Sequence, residues 1–131
     1  MDSNRLNISK IETFFDTLFR GKITDNLFFT ELPPAIQEDW KDMVVVDCSA
    51  MVDWDAYGRG TVLLYVYVPP MGSSGRKDVA TFSNIESKIN QCIQDNTNEI
   101  YKIQRRESYS DFDSEKNLFV NIIELNVIVL T

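Results

Sequence analysis

Residues 61–70 read T-V-L-L-Y-V-Y-V-P-P, and they contain the strongest strand pattern of the chain. β-Branched and aromatic residues favour strands, and the two consecutive prolines end the pairing because proline has no backbone N–H. Alternate residues of a strand point to opposite sides of its sheet. Both sides of this strand are apolar: Val62, Leu64, Val66 and Val68 on one, and Leu63, Tyr65 and Tyr67 on the other. We therefore expect a strand that is covered on both sides.

The segments before this strand predict a helix, an irregular connector and a first strand. Apolar residues at helical spacing indicate a helix over residues 6–20, which Gly21 would end. Residues 21–42 predict a connector pinned by aromatic side chains, because Pro33 and Pro34 prevent regular pairing. Residues 43–52 then predict a strand, and residues 53–60 a turn whose two glycines can adopt positive φ.

The segments after the strand predict a loop, a helix and two more strands. The loop covers residues 71–77, and the helix covers residues 79–96 with Asp78 as its N-cap. Residues 101–109 alternate as a strand does, residues 111–117 predict a turn, and residues 118–131 predict a long last strand. This order after the N-terminal helix is β-β-α-β-β.

The element order predicts an α+β fold in which an antiparallel or mixed sheet packs against helices. The chain has 131 residues, and a chain of this size buries roughly two-thirds of its unfolded surface without disulfides or metal. We therefore interpret residues 1–131 as a single domain.

The charge balance disfavours nucleic acid as a ligand. The chain has 13 basic and 20 acidic residues, for a net charge of -7, and binding to phosphate backbones or anionic lipid needs clustered Lys and Arg. Two short basic pairs, Arg76-Lys77 and Arg105-Arg106, each lie near acidic residues and are typical of solvated surface charge.

The side chains that most often perform catalysis are missing or isolated. The chain has no histidine, the commonest general base near neutral pH, and it has no glycine-rich phosphate loop. Cys48 and Cys92 are far apart in sequence and fit small buried hydrophobes better than a redox or metal site. We therefore expect no enzymatic activity, no cofactor and no bound metal.

The beginning of the chain and its longest apolar run bear on the compartment. No apolar signal-peptide core follows Met1, and the run at residues 62–68 is far too short to span a membrane. We expect a protein of a reducing compartment without a membrane partner.

Paired aspartates give the chain its one alternative chemistry. Asp53 and Asp55, and again Asp111 and Asp113, are spaced two apart at predicted turns. Carboxylates at this spacing can share a divalent cation, which keeps a metal-dependent enzyme open as an alternative. Aspartate is also a leading turn residue because it hydrogen-bonds its own backbone, and this second interpretation is favoured.

The second apolar side of the sheet is the feature that bears most directly on function, because a monomer does not ordinarily expose such a patch. One interpretation is that the N-terminal helix and the aromatic connector cover it. The other is that an identical subunit covers it, since tyrosine is favoured at such contacts. The predicted interface residues are Leu63, Tyr65, Tyr67, Met71, Leu118, Val120 and Ile122.

The arrangement resembles the tail-terminator and tail-completion proteins of tailed bacteriophages, and more loosely their head-to-tail neck proteins. These are small α+β subunits with an N-terminal helix, a proline-containing connector, a β-hairpin, a helix across the sheet and a closing hairpin. The resemblance rests on order and spacing over residues 8–20, 32–34, 44–46, 62–68, 79–96 and 119–130.

This resemblance implies a structural virion protein without catalytic residues. Such a subunit forms a homo-oligomeric ring, commonly a hexamer, that joins the tail tube to the neck or connector proteins after assembly in the host cytoplasm. An acidic ring would let DNA pass without binding it, because negative walls repel phosphate. A small adaptor domain that binds another protein is a further alternative with the same surface.

Overall fold

The computed structural model describes residues 8–48 and 58–130. Its elements are α1 (Ile8–Phe19), β1 (Leu27–Phe29), β2 (Met43–Asp47), β3 (Arg59–Val68), α2 (Val79–Gln94), β4 (Tyr101–Asp113) and β5 (Leu118–Val129). The five strands form one sheet in the order β1-β2-β3-β5-β4. β1 is parallel to β2 and every other pair is antiparallel. The predicted α+β fold with a mixed sheet is confirmed.

Local chemistry explains where the two helices begin and end. Gly21, with φ of 72°, follows the end of α1 as predicted because glycine adopts positive φ without strain. The Asp78 carboxylate caps α2 by accepting hydrogen bonds from the backbone N–H of Thr81 at 3.1 Å and from its hydroxyl at 2.7 Å. The sequence prediction of this N-cap is confirmed.

In three places, residues that were assigned to the connector or to turns belong to strands, because each pairs with a neighbouring strand. The connector contains β1, whose apolar residues pair with β2 ahead of the prolines. Gly60 lies inside β3 opposite Val127 and not in a turn. Asp111 lies inside β4 opposite Val120, so the last turn is confined to residues 114–117. The predicted strand end at residues 49–52 and the predicted turn at residues 53–57 lie outside the described residues.

Both helices pack on the same side of the sheet, which we name the helix side. The apolar stripe of α1 and that of α2 join residues from all five strands in one buried cluster. Phe15 and Phe19 of α1 are fully buried, and Phe14 stacks on Tyr101 of β4 at 4.8 Å between ring centroids. The opposite side of the sheet, named the outer side, therefore has neither helix. The hypothesis that the N-terminal helix covers it is wrong.

Candidate interaction surface

The connector between β1 and β2 covers one half of the outer side. A second buried cluster forms there around Met43 and Val45, and the ring of Trp40 packs against Phe28 at 5.5 Å between centroids. Proline-rich irregular chain can fold over a sheet in this way because it needs no pairing partners of its own. The full set is Leu32, Met43, Val45 and Leu118, with Phe28, Ile36, Trp40, Tyr65 and Tyr67 packed against them.

The other half of the outer side has an apolar row that meets the connector cluster only at its Tyr65 end. Tyr65 of β3 lies opposite Ile122 of β5, which in turn lies opposite Tyr109 of β4. We name these three residues the outer row. Tyr65 and Ile122 are half-buried and the Tyr109 side chain is 52% exposed. Leu63, also half-buried, follows in the next position along β3. The row runs from the covered half of the sheet to its β4 edge.

The structure divides the seven predicted interface residues into two groups. Leu118 and Val120 are 4% and 5% exposed, so they are buried by their own chain and offer little surface to a partner. Tyr67 stacks on Tyr65, and both tyrosines pack against the connector cluster on one side. The accessible candidates are Leu63, Tyr65, Ile122 and Met71, and Met71 lies apart from the row in the loop after β3, 48% exposed.

Acidic side chains border the outer row on both sides. Leu63 lies between Asp47 and Glu124 in the sheet register, and Asp111 lies one position beyond Tyr109 on the same side of β4. Burial raises the pKa of the Tyr65 phenol, and the carboxylate of Asp47 adds to that rise. Burial also raises the pKa of Tyr67, with Asp113 as the next cause. A partner that binds here must have a contact surface that is apolar at its centre and compatible with acidic side chains at its border.

A series of polar contacts on the helix side involves one member of each basic pair identified in the sequence. Lys77 donates to the side chains of Ser110 and Asn121 at 3.0 and 2.9 Å. Asn121 donates to Glu86 of α2 at 3.2 Å, and Glu86 forms an ion pair with Arg105 at 3.1 Å. These bonds fasten α2 to β4 and β5, and they occupy one member of each basic pair.

The contact of Lys77 with Ser110 is the arrangement most like a catalytic pair. A lysine base must accept the serine proton. Here the Ser110 hydroxyl donates its proton to Asn121 at 2.8 Å and accepts from Lys77. The geometry therefore serves hydrogen bonding between strands and does not activate a nucleophile.

The described aspartates have turn and strand roles. The Asp113 carboxylate accepts from the backbone N–H groups of Glu115 and Lys116, both at 3.1 Å, and its second oxygen meets the Lys116 ammonium at 3.5 Å. Over residues 8–48 and 58–130, no group of three or more acidic, cysteine or histidine side chains could hold a metal ion. Asp53 and Asp55 lie outside the described residues.

Both cysteines lie in the helix-side core. Burial raises the pKa of Cys48 to about 12, with Glu12 and Asp47 as lesser causes. Burial also raises the pKa of Cys92, while Lys22 acts in the opposite direction. Both thiols are free and buried, and the prediction that they act as small hydrophobes is confirmed.

Surface clefts in the described chain are open, and none has a mainly apolar lining. One of about 280 Å³ lies where the ends of the two helices meet, and it is lined by Phe14, Thr17, Leu18, Lys22, Asp95, Asn96, Thr97 and Asn98. Small-molecule sites are usually deeper and lined mainly by apolar side chains. Neither helix of the described chain combines the length and apolar character that crossing a membrane requires.

Sequence reasoning missed Tyr109 as a surface residue. The β4 register shifts between Arg105 and Ser108, which marks a β-bulge, and simple alternation does not predict one. The bulge turns Tyr109 to the outer side, next to Ile122.

Compared with known proteins, the chain matches no family model and no curated protein.

Proposed function

We propose that this protein is a structural assembly subunit that packs its outer row against another copy of itself to form a ring. The observation that carries the proposal is the row Tyr65–Ile122–Tyr109, an apolar strip that the helices do not cover and that packs against the connector cluster only at Tyr65. Aromatic side chains with a polar tip are enriched at protein interfaces. The polar rim is also typical of such surfaces.

The biological setting follows the resemblance to phage tail-terminator and tail-completion subunits. In that setting the ring, commonly a hexamer, joins the tail tube to the neck or connector proteins of a virion assembled in the host cytoplasm. The net charge of -7 supports a ring that DNA passes without binding. Random duplex DNA should accordingly give no mobility shift at physiological salt, and tight, salt-sensitive binding would contradict this part of the proposal.

The test replaces Tyr65 by glutamate. A charge buried without a partner at a subunit contact weakens association by about 3–5 kcal/mol, whereas in an isolated subunit the half-buried side chain can reach water. We expect sedimentation velocity to show loss of the oligomer and circular dichroism melting to show a folded chain. Thr61→Glu is the matched control, because Thr61 lies on the same side of the same strand, opposite Asn126 and outside the row.

The outcomes separate the competing interpretations. A Tyr65→Glu chain that does not fold would make the row part of the internal core, and a fully assembled variant would remove it from the interface. A wild-type chain that stays monomeric at high micromolar concentration, without rings in micrographs, contradicts self-assembly. In that case an oligomer that forms only with a foreign protein would favour the adaptor alternative.

A further inference from the structure

The two edges of the sheet are unequal. β1 is three residues long, and the Leu27 carbonyl accepts a hydrogen bond from Arg20 at 3.3 Å. β4 is 13 residues long, pairs with no strand but β5 among the described residues, and is exposed at every position from residue 106 to residue 112. An edge strand presents a row of backbone groups to which another strand can add. Extended pairing with another chain is therefore available at β4 and not at β1.

Charge divides β4 into two halves of opposite sign. Residues 101–106 include Lys102, Arg105 and Arg106 with no acidic residue, and residues 107–113 include Glu107, Asp111 and Asp113 with no basic residue. A second β4 that added in parallel would place like charges side by side. An antiparallel copy places the basic half of one strand against the acidic half of the other. The strand is therefore complementary to itself in one orientation.

The bulge limits the registers that such a pair can adopt. Ile103 and Arg105 share the helix side with Ser108 and Ser110, because the bulge inserts one residue between them. An antiparallel copy that sets the basic half against the acidic half pairs residues from before the bulge with residues from after it. Helix-side residues then lie opposite helix-side residues when an odd-numbered residue faces an even-numbered one, as Ile103 and Ser110 would. If the two-fold axis lies between residues 106 and 107, Lys102 of each copy lies opposite Asp111 of the other. Arg106 of each copy likewise lies opposite Glu107 of the other, which gives four contacts in all.

We propose that β4 is a self-recognition edge at which two copies of this chain join antiparallel about a two-fold axis, giving one continuous sheet. This contact goes beyond the outer row, since it uses main-chain bonds and β4 charges and not the packing of Tyr65. Its occupant is a second copy because charge complementarity along β4 selects the same strand reversed. A bulge and charged residues also protect edge strands from pairing, and the experiment must separate these two roles.

The test reverses the basic half and then the acidic half. In Lys102→Glu/Arg106→Glu all four symmetric contacts become repulsive, so we expect the two-fold contact to weaken by at least about tenfold. Adding Glu107→Lys and Asp111→Lys should restore it, because complementarity returns with inverted sign. The matched control Lys10→Glu/Lys88→Glu changes net charge equally at exposed positions of the two helices and should leave association unchanged. Sedimentation equilibrium measures each constant, and circular dichroism melting checks folding.

Hydrogen exchange supplies a second measurement that does not depend on the variants. Backbone amides of residues 102–111 that point away from β5 should exchange slowly at high protein concentration and quickly on dilution, with the mass changing by multiples of the 15.1 kDa subunit. The amides of Tyr101 and Phe112 are left out because they donate to Asn98 and Asp111 of the same chain. Amides that exchange quickly at every concentration would overturn the proposal. Association that becomes stronger when the β4 charges are neutralised would also overturn the proposal, because that result is expected of an edge protected from pairing. Association that is unchanged in Lys102→Glu/Arg106→Glu would overturn it as well. Because Tyr65→Glu leaves β4 unchanged, failure of the outer-row contact and failure of the edge contact give different results.

Discussion

The two sides of the sheet are both apolar, but their covers differ in kind. On the helix side two amphipathic helices lie over residues of all five strands, and side chains such as Leu64 and Ile123 are fully buried. On the outer side an irregular connector covers the β1 and β2 half, while the row toward β4 remains half-buried or exposed. A helix shields a wide stripe because its backbone bonds are internal. A connector shields only where its few large side chains reach.

This difference implies that the two sides have different tasks. The energy of folding comes mainly from the helix side, since the free energy of burial grows with the apolar area removed from water. The outer side retains apolar area whose burial remains available to association.

The largest expected effect comes from two neighbouring leucines of β3 that point to opposite sides. Leu64 is fully buried on the helix side, and Leu63 is half-buried on the outer side. Leu64→Ala should lower the free energy of unfolding by about 2–5 kcal/mol because it leaves a cavity. Leu63→Ala should lower it by about 1 kcal/mol or less in the dissociated chain, because water can fill the space. Urea unfolding at low protein concentration measures both, and equal losses would erase the proposed difference between the sides.

A second expected effect concerns the pH dependence of the free energy of unfolding, which ionisation of the Cys48 thiol in the helix-side core changes. Burial raises the pKa of Cys48 from 9.0 to about 12. Between these values the unfolded chain releases a proton that the folded chain keeps, so stability is complete below pH 9.0 and falls as pH rises toward about 12. The slope is about 1.4 kcal/mol per pH unit. Cys48→Ala should remove this slope, which urea unfolding at pH about 8 and about 11 can measure.

Tyr65 and Tyr67 on the outer side also have raised pKa values. Both are present in the wild type and in Cys48→Ala, so their contribution to the pH dependence of stability cancels when these two proteins are compared. Cys92→Ala is the matched control, since that thiol lies nearer the surface and Lys22 opposes the rise in its pKa. It should flatten the pH profile less than Cys48→Ala does. Equal flattening would mean that the depth of the helix-side core does not determine the effect.

Periodicity predicted the helix side well and the outer side poorly. The alternation of β3 carries a repeating signal, and it placed Val62, Leu64, Val66 and Val68 on the side that the structure buries. The packing of Trp40 on Phe28 has no period, because an irregular chain is positioned by individual contacts. The same holds for β1, whose three residues owe their pairing to the neighbouring β2 and not to a strand pattern of their own.

The candidate surface was predicted in part, for a reason that lies in the bulge. Tyr65 and Ile122 follow strict alternation and were placed on one side by sequence alone. Tyr109 sits beyond the register shift of β4, where counting by twos from Ile103 gives the outer position only after one extra residue is inserted. Which residues the connector would bury, such as Leu118 and Val120, depends on contacts between distant parts of the chain.

The smallest expected effect concerns the first turn of α2, one of the two helices that cover the helix side. Asp78→Ala removes both hydrogen bonds from the carboxylate to Thr81 and leaves a backbone N–H of α2 without its cap, which should lower the free energy of unfolding by about 1 kcal/mol. Asp78→Asn is the control, because its amide oxygen can still accept from the backbone of Thr81 and should recover most of that loss. Urea unfolding resolves the two variants, and the outer row should be unaffected, so association measured by sedimentation should equal that of the wild type. If Asp78→Ala weakened association as much as folding, α2 and the outer side would be coupled through the sheet, and the separation of the two sides into a folding side and a contact side would no longer hold.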